Sequence, residues 1–245
     1  MSKLAAILHH EDVVHVRGTP ASGKTCLSEL LRDYYLKEGR NVSLIKEWEK
    51  LDHKDPWDSL VKLVEEWNGK LEGASTTSFA TTTSSKLEND LSWVLTSNTV
   101  ILVDEAQMTY NDAMLWNTIL KERQSSTCLY NFQLCLFCSY GSPTAGPDQT
   151  FFTPVRLSNQ QCISLTPQSK QDSPPIGLFY DKEEFKDVVS RLLTFQYAFQ
   201  YPEGFTFDEG AQDYIFALSN GHPGAVDSVV NVLFQVCAKY YFRYF

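Results

Sequence analysis

The 245-residue chain has no uninterrupted apolar stretch near the roughly 20 residues that a membrane-spanning helix requires. Its apolar start, Leu4-Ala5-Ala6-Ile7-Leu8, is too short for a signal-peptide core and runs into His9, His10, Glu11 and Asp12. An intracellular protein without a membrane partner is therefore expected. Basic residues are scarce, 21 Lys and Arg against 30 Asp and Glu, for a net charge of −9. That balance excludes a surface that grips nucleic acid by phosphate contacts alone, so nucleic acid would enter only through a local patch or a fused domain. The six cysteines follow no disulfide framework. Cys135 and Cys138 form a C-x-x-C inside an apolar run that reads as a strand, where an offset of three sends the thiols to opposite faces. Buried, inert thiols are expected there, as reducing surroundings allow. His9, His10, His15 and His53 stand at no spacing that suits a metal. No internal repeat recurs, which excludes a solenoid.

What is present is an alternation of short apolar runs with helical patterns, the signature of a parallel sheet covered by helices. Strands are predicted over Asp12–Arg17, Asn41–Lys46, Thr99–Val103, Gln133–Cys138 and Cys162–Leu165. Between them, helices are predicted over Lys24–Lys37, Pro56–Trp67, Leu87–Leu95 and Asn111–Arg123. Residues 69–85 are Ser/Thr-rich and read as a surface insertion. Thr166–Gly177, with three prolines, reads as a linker, and only helical patterns follow: Asp181–Gln200, Asp208–Ser219 with Asp208 as N-cap, and Ala225–Tyr240. The expected organisation is a three-layer α/β sandwich over 1–170, with a mainly parallel five-stranded sheet, followed by a small helical lid over 171–245.

Three groups of residues carry chemistry. Gly18-Thr19-Pro20-Ala21-Ser22-Gly23-Lys24-Thr25 fits G-x-x-x-x-G-K-[S/T], placed after a predicted strand and at the start of a predicted helix. Such a loop turns its amides towards phosphate oxygens, and the helix start adds partial positive charge, so Gly18 through Cys26 are expected to line a polyphosphate. Lys24 would reach the β- and γ-phosphates, and the Thr25 hydroxyl is a hard oxygen ligand for Mg²⁺. Val100-Ile101-Leu102-Val103 then runs into Asp104-Glu105. Adjacent acids ending a buried strand suit a metal-holding Asp104 and a Glu105 that takes a proton from attacking water. The Gln133–Cys138 strand, expected between the other two, ends at Ser139, whose hydroxyl would meet the γ-phosphate or the water. For an arginine to offset the developing charge, Arg156 is the choice, ahead of Arg123 and Arg17. ATP or GTP with Mg²⁺ is thus the expected ligand, and a P-loop NTPase the expected fold.

Asp104-Glu105-Ala106-Gln107-Met108-Thr109-Tyr110, Leu115-Trp116 and Cys138-Ser139-Tyr140-Gly141-Ser142-Pro143 resemble the NTPase module of Crinkler effectors of fungi and oomycetes. Gly221-His222-Pro223-Gly224 resembles the G-x-P turn in the lid of STAND-type ATPases, within the AAA-like P-loop group. The resemblance spans roughly Glu11 to Val236. It implies an ATPase whose nucleotide state acts as a switch, with nucleotide between core and lid. It also implies a secreted effector acting in host cytoplasm or nucleus, and a trans arginine would make the active form a homo-oligomer. The residues before Glu11 do not read as that family's translocation header, and those after Val236 do not read as a nuclease, so neither activity is expected of this chain. The protein partner is unknown.

Overall fold

The computed structural model describes residues 1–72, 95, 98–125, 130–139, 155–165, 176–197 and 206–244. All of the expected helix over Leu87–Leu95 but its last residue, the Gly141–Pro147 loop, most of the Ser/Thr-rich stretch and most of the 166–177 linker fall outside these residues.

Five strands form one all-parallel sheet: β1 (Val13–Arg17), β2 (Asn41–Ile45), β3 (Thr99–Val103), β4 (Gln133–Cys138) and β5 (Cys162–Ser164), in the order β2-β3-β4-β1-β5. β4 thus lies between β1 and β3, as expected. The chain is an α/β P-loop NTPase fold. Parallel strands are covered on both faces, so they read as continuous apolar runs rather than alternating ones. Val100, Ile101, Leu102 and Val103 are all fully buried. Each such side chain contributes about 1.5–3 kcal/mol. Cys135 and Cys138 are buried free thiols separated by an odd offset along β4.

Helix α2 (Lys24–Lys37) follows β1 and buries Leu27, Leu31 and Tyr35 at a spacing of four. α3 (Pro56–Glu72) packs Leu60, Val61 and Val64 with Ile101, Val103, Leu134 and Leu136 in one core. The N-terminal run is itself a helix, α1 (Ser2–Glu11), with Leu4, Ala5 and Leu8 buried. Its Ala5 carbonyl accepts from the Tyr35 hydroxyl at 3.2 Å. The helix predicted over Asn111–Arg123 is less regular. A 3₁₀ turn covers Ala106–Asn111, a π-helical turn Leu115–Ile119, and α4 (Leu120–Arg123) closes the segment as a short α-helix. The wider turn carries Trp116, whose indole N–H is held at 2.8 Å by the Thr109 carbonyl.

Asp112 holds this region together. It is 2% exposed and accepts four hydrogen bonds, from the Trp48 indole (2.8 Å) and the backbone N–H groups of Leu51 (3.0 Å), Met114 (3.0 Å) and Leu115 (3.2 Å).

By packing, the described residues form two compact units. The first holds Met1–Gly18 and Lys24–Ser164 and contains the sheet. The second holds Thr19–Gly23 together with the helical chain that begins at Gly177. In it, α5 (Lys182–Tyr197), α6 (Glu209–Ser219) and α7 (Pro223–Tyr244) bury Phe185, Val189, Ile215, Val226 and Val230 against one another. Asp208 caps α6, its carboxylate accepting the Ala211 N–H at 2.8 Å, and Asn220 ends that helix in the left-handed region at φ 50°.

Candidate functional site

In the first unit, the C-terminal tips of β1, β4 and β3 bring the chemistry together. Gly18 prolongs the ladder by donating its N–H to the Cys138 carbonyl at 3.1 Å. Lys24, the first residue of α2, is only 5% exposed and donates through Nζ to the Gly18 carbonyl at 3.3 Å. Burial lowers its pKa, and the carboxylates of Glu105 and Asp104 oppose that shift. The ammonium and the two acids therefore act on one another. Thr25 and Cys26 follow on the first turn of α2, both exposed.

Asp104 is 5% exposed. Its N–H donates to Ile45 at 2.9 Å, carrying the β3 ladder one residue further. Its Oδ1 accepts the Glu105 N–H at 3.0 Å. Glu105 itself adopts φ 48°, ψ 36°, a left-handed conformation that turns the chain sharply off β3 and leaves its side chain exposed. The Gln107 amide donates to Glu105 Oε2 and accepts the Ser139 N–H at 3.1 Å. Sequence reasoning brought Lys24, Asp104, Glu105 and Ser139 forward but gave Gln107 no role of its own. The signal lay in its position two residues after Glu105, where the chain passes the neighbouring tip of β4.

The arginines lie elsewhere. Arg17 folds back along β1, its Nε donating to His15 Nδ1 at 2.9 Å. Arg123 pairs with Asp12 at 2.9 Å and donates to the Phe132 carbonyl at 3.1 Å. Arg156 lines a cavity of about 480 Å³ with Asp12, Val13 and Arg123. That cavity is at the start of β1, about 20 Å along the strand from Gly18 at 3.3 Å per residue. Arg156 is thus set apart from the strand tips of its own chain. In an all-parallel sheet every strand starts at the same end, and the lining shared with Asp12 and Val13 puts Arg156 at that end, opposite the strand tips.

Beneath the tips, His15 is fully buried on β1. Because Arg17 donates to Nδ1, the proton of the neutral ring is on Nε2, which faces Cys138 Sγ at 2.8 Å and the Tyr110 hydroxyl at 3.1 Å. Burial, helped by the Arg17 charge, drives the imidazole pKa down from 6.5 to about 3, and burial pushes the Cys138 thiol up to about 12. The pair is thus a neutral imidazole beside a thiol, which excludes an activated cysteine. The unfolded chain takes up the His15 proton below pH 6.5 while the folded chain resists until about pH 3. Stability is therefore fully present above pH 6.5 and lost as the pH falls through that window, by up to about 1.4 kcal/mol per pH unit. Urea unfolding of the wild-type protein and of His15→Gln is expected to show the wild type losing about 1.5 kcal/mol more between pH 6.5 and 5. Equal losses would contradict a neutral buried His15.

In the second unit, the loop Thr19–Gly23 is set by its own backbone and by the turn before α7. Ala21 and Gly23 have φ 57° and 90°, and the Ser22 N–H donates to the Thr19 carbonyl at 3.3 Å. Alternating left-handed residues of this kind turn successive amides to one side, as an anion-binding nest requires. Ser22 Oγ is fully buried and, among the described residues, has no hydrogen-bond partner. His222 accepts the Ala225 N–H at Nδ1 (3.2 Å), so its Nε2–H donates to the Thr19 hydroxyl at 2.8 Å. The Gly224 N–H donates to the Ala21 carbonyl at 3.1 Å. A Cβ on Gly224 would stand 2.5 Å from the Ala21 Cβ, so only glycine fits this approach.

No protein-family model matches the chain, and no curated protein matches its sequence. Among solved structures it is similar to two mutants of RuvB from Thermotoga maritima, at 13% and 14% identity with TM-scores of 0.45 and 0.41. Both comparisons cover 94% of this chain and 59% of the RuvB chain. It is also similar to Drosophila ORC bound to DNA, at 14% identity and a TM-score of 0.43, over 93% of this chain and 52% of the other. The chain thus spans a little over half the length of these structures. Its fold assignment stands on the strand order and on the loop that follows β1. Tyr140–Pro143, which carry part of the Crinkler resemblance, lie outside the described residues.

Proposed function

We propose that this chain binds a nucleoside triphosphate with Mg²⁺ and hydrolyses it. The observation that carries this reading is the buried Lys24 ammonium, bonded to the Gly18 carbonyl and within the field of Asp104 and Glu105, at the tips of β1 and β3 on either side of β4. A buried lysine beside two acids at a loop–helix junction suits a site built to balance phosphate and metal charge. Loop amides from Gly18 to Thr25 would bind phosphate oxygens, helped by the start of α2. The orphaned Ser22 hydroxyl and the nest-like backbone support that assignment.

Thr25 and Asp104 would hold the metal. Among the described residues no group of three or more His, Cys, Asp or Glu could do so alone. Two protein oxygens suit Mg²⁺, which keeps waters and takes phosphate oxygens, and when bound it would neutralise charge on the transferred phosphoryl group. Glu105 would accept the proton of the attacking water, and the Ser139 hydroxyl would orient that water or the γ-phosphate.

Nucleotide state would act as a switch. Hydrogen bonds from His222 and Gly224 to Thr19 and Ala21 support this, since a shift of the phosphate loop would be felt at the start of α7. An arginine would come from a second copy of the chain, for which the exposed Arg156 is the candidate. A Crinkler-like role in host cytoplasm or nucleus belongs to the same reading. No helix among the described residues is long and apolar enough to cross a membrane.

The test is turnover of ATP and GTP at several protein concentrations, with wild type and Lys24→Ala. The expected result is turnover per molecule that rises with concentration and falls by at least about 10²-fold in the variant, through lost charge stabilisation. Tight nucleotide binding with no turnover would leave a binding module instead. Equal rates in the two proteins would remove the enzymatic reading.

A further inference from the structure

We propose that Gln107 is a positioning residue that fixes the Glu105 carboxylate against the tip of β4, an inference that rests on the hydrolytic reading of this site. The two partners of Gln107 demand the same amide orientation. The Ser139 N–H can only donate, so it faces the amide oxygen, and the Glu105 carboxylate can only accept, so it faces the amide nitrogen. Both demands are met at once.

The amide is also firmly based. Gln107 belongs to the 3₁₀ turn Ala106–Asn111, in which Ala106 and Thr109 are buried. The Thr109 hydroxyl donates to the Ala106 carbonyl at 2.7 Å, and the Trp116 indole is tied to the Thr109 carbonyl. A side chain rising from an anchored turn can therefore restrain an exposed one. Glu105 Oε2 is occupied by the amide, which leaves Oε1 to meet the water. The same amide sets the base in register with Ser139, on the next strand. One side chain thereby couples two groups that must act on the same water.

Two substitutions separate the halves of this arrangement. Gln107→Ala removes both hydrogen bonds. Gln107→Glu keeps an acceptor for the Ser139 N–H but places a like charge against Glu105. Both are expected to lower kcat about 10- to 100-fold, as misplacement of a base by about 1 Å does, with KM within about twofold of wild type. In the nucleotide-free protein, hydrogen exchange at the Ser139 amide is expected to accelerate in Gln107→Ala and to stay slow in Gln107→Glu. A purely structural role would not divide the two variants in this way. Unchanged Ser139 exchange in Gln107→Ala, or a kcat loss matched by a rise in KM, would overturn the proposal. Turnover abolished by Glu105→Gln but untouched by Gln107→Ala would overturn this role alone. Absence of turnover in the wild-type protein would overturn the hydrolytic reading and this role with it.

Discussion

Glu105→Gln is expected to slow hydrolysis by about 10²–10⁴-fold, the range a positioned general base contributes, while nucleotide affinity stays near that of the wild type. In activation terms this is roughly 3–5 kcal/mol. The substitution is well isolated. A glutamine at 105 still offers an oxygen to the Gln107 amide, and the Asp104 carboxylate still accepts the backbone N–H of residue 105. Asp104 and Lys24 are untouched, so binding and chemistry separate: Lys24→Ala should weaken both, Glu105→Gln only the second. Single-turnover kinetics beside equilibrium nucleotide binding would check this. Equal single-turnover rates for Glu105→Gln and the wild type would mean that the water is activated elsewhere.

The largest expected loss of stability is at Asp112, away from the strand tips. Its buried carboxylate gathers the Trp48 indole and three backbone N–H groups. Asp112→Ala would take the acceptor from all four donors, of which the Trp48 indole and the Leu51 and Leu115 N–H groups are buried. Removing one partner of such a buried charged cluster costs about 3–5 kcal/mol, because the groups left behind keep their desolvation penalty. For a chain of this size that is a fall in melting temperature of roughly 10 °C. Asp112→Asn should lose less, since one oxygen remains to accept. Calorimetry or urea unfolding would measure both. A loss below about 1 kcal/mol in Asp112→Ala would show that water or a relaxed backbone satisfies the donors.

The sheet was legible because each strand carries its own signal, an apolar run bounded by turn residues, and because Gly18–Thr25 and Asp104-Glu105 are contiguous in sequence. The placement of β4 between β1 and β3 follows from the pattern of P-loop ATPases with adjacent Asp and Glu, and the role expected of Ser139 follows from that placement. What escaped prediction depends on contacts between distant segments. Gln107 gains meaning only when Glu105 and Ser139 are seen on adjacent tips. His15 read as an ordinary histidine, since Arg17, Tyr110 and Cys138 surround it only in three dimensions. α1 was overlooked because three buried apolar residues make a weak helical stripe. The place of Arg156 is not legible in the sequence, because nearness to a strand says nothing about which end of it is approached.

The contact of Gly224 with Ala21 leaves no clearance: the space a single methyl would need is already taken. Parts that touch without play transmit displacement from the first fraction of an ångström. Steric contact can only push, but the Gly224–Ala21 and His222–Thr19 hydrogen bonds can also pull. The loop and the first turn of α7 are therefore joined in both directions, like a crank and its rod, and neither can change its backbone without the other answering.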